Sequence, residues 1–115
     1  KQQLVASELD ENRNELGDFL HRANGPIYYR GYFQGELATN GQIDALLKHF
    51  KISTIVVGHT THKKIEMHYD GKVIVIDANM KSGTMGEMLL WQNGVFSRGN
   101  LLGEELALKI SETKK

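Results

Sequence analysis

Apolar positions along this chain recur with two different periods. Ile43, Leu46, Leu47 and Phe50 are spaced by three and four, which places them on one face of a helix over residues 39 to 50. Thr39 followed by Gln42 is a capping box that would start it. Lys48 and Lys51 suit the negative end of its dipole. An earlier helix over residues 7 to 21 carries Leu9, Leu16, Phe19 and Leu20 as a modest stripe, with Ser7 as its cap. Between the two, Asn24-Gly25-Pro26 breaks the chain. The aromatic run Ile27 to Phe33 has no clean period and predicts a short extended piece within a structured loop.

After residue 51 the pattern becomes that of strands. Residues 52 to 57 are a β-branched run and predict a strand buried on both faces. Residues 64 to 69 and 72 to 77 flank Asp70-Gly71, a favoured hairpin turn. Residues 86 to 91 and 94 to 97 flank Asn93-Gly94 in the same way. Leu106, Leu108 and Ile110 alternate and predict a last strand over 105 to 110. The polar end, 111 to 115, reads as a frayed tail. The order is helix, loop, helix, strand, then antiparallel strands. It predicts an α/β fold in one partial domain over residues 1 to 115, with more apolar surface than its own elements cover.

Composition narrows the classes. The chain has 115 residues, 40% hydrophobic and 24% charged, an ordinary globular mixture. Lysine plus arginine equals aspartate plus glutamate at 14 each, so no net charge draws it to nucleic acid or to an anionic membrane. No stretch approaches the roughly 20 apolar residues of a membrane span. A soluble chain is expected, with the cytoplasm favoured. There is no cysteine, which removes disulfides, thiolate catalysis and cysteine-bound zinc from this chain. The numbering begins at Lys1 without an initiator methionine, as a processed chain or a fragment would.

The candidate chemistry gathers at Ile55-Val56-Val57-Gly58-His59-Thr60. A strand ending in Gly-His-Thr places an imidazole at the tip of a rigid scaffold, where α/β proteins build their sites. There His59 can ligate a metal or shuttle protons, or make an ordinary loop hydrogen bond. Thr60 can bind an anion or cap the turn. His59, His62 and His68, three histidines within ten positions, could suggest a metal cluster, but the spacing is no zinc signature. His62 and His68 read as surface residues, His62 being the better candidate for an exception, and His21 and His49 as structural residues at helix ends. Arg30, flanked by tyrosines, has the rigid fork that recognises phosphate oxygens, but equally fits a stacked surface arginine. Asp77 closes the strand Val73 to Ile76 and could orient a histidine or cap the next turn.

Three segments in order carry a resemblance: Gly25-Pro26-Ile27-Tyr28-Tyr29-Arg30-Gly31, then Ile55 to Thr60, then Asp70-Gly71-Lys72-Val73-Ile74-Val75-Ile76-Asp77. Together they resemble the C-terminal half of calcineurin-like metallophosphoesterases, of the bacterial serine/threonine phosphatase-like branch, over residues 24 to 92. The resemblance implies the C-terminal part of a sandwich of two mixed sheets with flanking helices. It implies a parent that hydrolyses phosphoesters with two divalent ions of manganese, iron or zinc, about 3.5 to 4 Å apart. His59 would then be a metal ligand and a catalytic residue. Arg30 would be catalytic and bind substrate, and Thr60 would bind substrate. Many members have Gly-His-x-His, but here Thr61 holds the second position and His62 lies one residue beyond. The early Asp-x-His, Gly-Asp and Gly-Asn-His motifs are absent. The implied partner is therefore the missing N-terminal portion of the same domain, beside a phosphoester substrate. The isolated chain is expected to be inactive, and its uncovered apolar surface could drive a homodimer. The alternative is a noncatalytic interaction domain using the aromatic loop 28 to 33.

Overall fold

The computed structural model describes residues 15 to 111. The chain divides into two compact units, residues 1–37 and residues 38–115.

The first unit contains helix α1, Glu15–His21. Its end is tied by the His21 imidazole, whose Nδ1 lies 2.8 Å from the Gly17 carbonyl. Residues 7 to 14 of the expected helix, with the Ser7 cap, lie outside the described residues. Beyond α1 the backbone runs through a series of turns rather than an extended piece. Gly25 N–H donates to the Arg22 carbonyl, Tyr28 N–H to Gly25, and both Phe33 and Gln34 N–H to Arg30. Gly25 and Gly31 are buried. A Cβ on Gly31 would meet the end of the Tyr29 ring, so a larger residue there would displace that ring. The Tyr29 and Tyr32 rings meet edge to face at 5.1 Å. Burial, then the neighbouring Tyr29, raises the Tyr32 phenol above its ordinary pKa.

The second unit opens with helix α2, Asn40–Phe50. Its capping box forms as the sequence predicts. Gln42 N–H donates to Thr39 Oγ1 at 3.2 Å, and Thr39 N–H donates to Gln42 Oε1 at 2.8 Å. The stripe is less buried than its spacing implies: Ile43 is fully buried, while Leu46 and Phe50 are exposed. The helix stops at Lys51, which takes a left-handed backbone and donates its N–H to the Leu47 and Lys48 carbonyls.

Two three-stranded sheets complete the unit. The first contains β1, Ile55–Val57, β2, Glu66–His68, and β3, Val73–Val75. Their order is β1-β3-β2, with β1 parallel to β3 and β2 antiparallel to it. This order corrects the expectation that residues 52 to 57 are buried on both faces. β1 is an edge strand, and its Val56 is 44% exposed. The central strand is β3, whose Val73, Ile74 and Val75 are all fully buried. Each such side chain contributes about 1.5–3 kcal/mol by leaving water. The β2–β3 hairpin exists, but its turn is wider than two residues. Tyr69, Asp70 and Gly71 all have positive φ, and Gly71 N–H donates to the His68 carbonyl. Beside this turn, Lys72 Nζ meets Asp44 of α2 at 2.6 Å.

The second sheet, β4-β5-β6, is antiparallel throughout. It comprises Glu87–Gln92, Val95–Asn100 and Glu105–Ala107. The two sheets are therefore not the pair of mixed sheets expected from the sequence. The β4–β5 turn is the predicted Asn93-Gly94, with φ of 52° and 79°, the left-handed pair that a tight hairpin needs. A short 3₁₀ turn, Met80–Ser82, separates the sheets in sequence.

Ile65, Ile74 and Ala78 form the buried cluster, and Met67, Leu89, Phe96 and Leu108 pack against it. It therefore draws on both sheets. Two polar devices add to that apolar contact. The Glu87 carboxylate on β4 accepts from the Ile65 N–H at 2.7 Å and pairs with the Arg98 guanidinium on β5. The chain after β6 then crosses to the first sheet. Met67 N–H donates to the Lys109 carbonyl at 3.0 Å, and Ser111 N–H donates to the Met67 carbonyl at 2.6 Å.

Glu87 and Arg98 are both largely buried, so removing one partner strands the other charge. Glu87→Ala should lower stability by about 3–5 kcal/mol, read from the denaturant midpoint. Glu87→Gln, which keeps an acceptor for Ile65, should lose less. A midpoint unchanged by Glu87→Ala would show that the sheets are held by apolar contact alone.

Candidate functional site

The parallel pair β1 and β3 ends at Val57 and Val75, and Ile76 N–H closes the ladder onto the Val57 carbonyl at 2.9 Å. Loops leaving the carboxyl ends of adjacent parallel strands are where open α/β sheets place their ligands. Here they are residues 58 to 62 after β1 and 76 to 79 after β3.

His59 sits at the tip of the first loop with φ of +66°. That is the left-handed region, which costs a non-glycine residue roughly 1–2 kcal/mol. The sequence points to Gly58 as the flexible position. The structure instead puts the left-handed conformation on the histidine, and a Cβ on Gly58 would make only ordinary contact with Ile76. Thr60, next in line, is 7% exposed.

Asp77 ties the two loops together. Its backbone carbonyl accepts from His62 N–H at 2.8 Å, and Oδ2 accepts from the Thr61 hydroxyl at 3.3 Å. Its Oδ1 accepts from Asn79 N–H at 3.3 Å. Asn79 also takes a left-handed backbone, φ 60°, which asparagine tolerates better than most residues. The loop that carries the left-handed histidine is thus held, at Thr61 and His62, by a clamp from the chain following the neighbouring strand.

A cavity of about 410 Å³ opens beside this clamp, lined by Thr61, His62, Lys63, Lys64, Glu66 and Asn79. Glu66 and His68, two apart on β2, project from the same face of the strand. Glu66 Oε1 lies 3.3 Å from His68 Nε2, and the His62 and His68 rings stand 5.6 Å apart. Burial lowers the His68 pKa. The Glu66 carboxylate works against that shift and the His62 ring adds to it. The sequence favours surface positions for His62 and His68 over a metal cluster, and the structure brings the two rings together. The Glu-x-His pair on one strand face is the local signal that they converge.

Arg30, predicted to contact phosphate, lies in the first unit at the start of the Arg30–Gln34 turn, half-buried. Thr60 and His59 lie together in the second unit. Among the described residues, the side chains whose ligand atoms converge are His62, Glu66 and His68. His59, the ligand expected from the sequence, is not among them. The chain has no cysteine and so offers no thiolate nucleophile of its own. Among the described residues, no helix is long and apolar enough to cross a membrane.

No protein-family model and no curated protein matches the chain. Solved structures do. The chain is 39% identical to a cold-active protein-tyrosine phosphatase of a psychrophile, Shewanella sp., with a TM-score of 0.78 over 90% of this chain and 31% of that one. A second cold-active protein tyrosine phosphatase structure is 38% identical, with a TM-score of 0.75 over 86% of this chain and 28% of that one. A point mutant of a cold-active protein tyrosine phosphatase is 37% identical, with a TM-score of 0.77 over 90% and 30%. The chain therefore spans less than a third of the chains it matches. These likenesses replace the reading as a calcineurin-like metallophosphoesterase, and the sandwich expected from that family, with the α/β fold of structures named protein tyrosine phosphatases. The inferred metal-dependent hydrolase, and its requirement for manganese, iron or zinc, rested on that family alone and go with it.

Proposed function

We propose that this chain is part of a longer phosphatase that cleaves phosphoesters, with phosphotyrosine in proteins as the substrate class. The carrying observation is the left-handed His59 at the carboxyl end of the parallel pair, in a loop that Asp77 ties down at Thr61 and His62, beside a cavity. The identity of 37–39% to structures named for phosphotyrosine hydrolysis supports the substrate class.

In this reading the His59 imidazole handles a proton at the ester. When the P–O bond to the phenol breaks, the leaving oxygen takes a proton from the imidazolium, which spares it a full negative charge. Lys63 and Lys64 at the cavity attract the dianionic phosphoryl group. The nucleophile comes from elsewhere in the longer protein or from water, since these 115 residues contain no cysteine.

The test is turnover of p-nitrophenyl phosphate and of a phosphotyrosine peptide by the longer protein. His59→Ala should lower kcat by roughly 10²–10⁴, the range of a positioned acid or base. A kcat within twofold of the parent value would reject the role.

Glycine relieves a left-handed backbone but adds freedom to the unfolded chain. His59→Gly should therefore stabilise the fold by about 0.5–1 kcal/mol while losing activity. A fall in the melting temperature of His59→Gly would show that the histidine serves the fold rather than straining it.

A further inference from the structure

We propose that His62, Glu66 and His68 form a zinc site at the edge of the cavity beside the Asp77 clamp, one that the proposed proton transfer by His59 does not require. One ligand atom from each of the three lies within 4.8 Å of the others. Zinc bonds to imidazole nitrogen and carboxylate oxygen are about 2.0–2.2 Å, so ligands of a tetrahedral ion stand about 3.4 Å apart. The Glu66 to His68 pair already meets that spacing at 3.3 Å, and the His62 ring has to close by up to about 1.4 Å.

The way each ligand is held supports the assignment. His62 Nδ1 lies 2.7 Å from the Thr60 carbonyl. A carbonyl only accepts, so Nδ1 carries the proton and the lone pair falls on Nε2. A ring nitrogen hydrogen-bonded to a backbone carbonyl is the usual way a zinc histidine is oriented. Glu66 and His68 share one face of β2, and that strand is fixed on its other side by Met67 in the core. Two ligands therefore come from a strand and one from the Asp77-clamped loop, and an ion would join them. The cavity beside His62 and Glu66 leaves room for water as the fourth ligand. Two imidazoles and one carboxylate favour zinc over magnesium or calcium, which prefer sets made of oxygen.

The ion carries no step of ester cleavage, so a failure here leaves the phosphatase reading untouched. The test is calorimetric titration of the chelator-stripped longer protein with zinc chloride alone, parent beside variants. The expected result is one equivalent taken up by the parent at micromolar or tighter affinity that the ligand variants lose, with a rise in melting temperature and no heat from magnesium at that site. Glu66→Gln and His62→Gln should each weaken zinc by at least roughly tenfold, and His68→Gln should do the same. His59→Ala and the double variant His21→Gln/His49→Gln should bind as the parent does. Circular dichroism checks folding. Should His68→Gln misfold, the Glu66 and His62 variants decide. Uptake below one equivalent, or affinity unchanged by Glu66→Gln and His62→Gln, would overturn the site, as would loss of binding in the His21/His49 double variant.

Discussion

The arrangement depends on one carboxylate. Glu87 stands on β4 of the antiparallel sheet, yet it accepts the backbone N–H of Ile65, the residue just before β2 of the mixed sheet. Arg98 on β5 neutralises it from the other side and sends its Nε–H to the Ala107 carbonyl at the end of β6. One charged pair thus touches β4, β5 and β6 and the start of β2. Apolar contact between the sheets is non-directional and would tolerate a slide. The Glu87 contact fixes the position of Ile65, and with it the register at which Met67 and Ile74 meet Leu89 and Phe96. A largely buried ion pair adds little net stability over apolar replacements, so its value lies in fixing one arrangement.

Local chemistry is legible in the sequence, and neighbour relations are not. The Thr39–Gln42 box and the Asn93-Gly94 turn each depend on a few adjacent residues, and both form as written. Asp70-Gly71 marks a real hairpin, but Tyr69 joins the left-handed stretch and widens the turn. The run Ile55 to Val57 looks like a central strand because β-branched residues are favoured at edges and centres alike. Only the order β1-β3-β2 assigns the buried place to β3, and no local pattern contains that order. Glu87 is invisible for the same reason: its partners are 11 and 22 residues away in the chain.

The site shows the same division. The motif Val57-Gly58-His59-Thr60 locates a strand end correctly, because a β-branched run stopped by glycine is local information. The family drawn from it is wrong. Short strand-end motifs recur wherever a parallel strand delivers a polar side chain to a loop, and function lies in the whole site. The missing early motifs already leave His59 short of the ligands that a two-metal centre needs. What a local pattern cannot show is the burden on His59 itself. A glycine precedes it, yet the histidine takes the left-handed backbone.

That placement is a consequence of the ladder. Residue 58 follows directly on the strand, whose last carbonyl, Val57, receives the Ile76 N–H. The chain must turn at the next residue if Thr60 is to enter the interior and His62 is to reach the Asp77 carbonyl. The turn therefore falls on position 59, whatever residue is there. A histidine kept at a position where glycine would be less strained is held there against local backbone preference. The left-handed backbone at His59 costs the loop some stability, and the Asp77 contacts to Thr61 and His62 hold the residues that follow it.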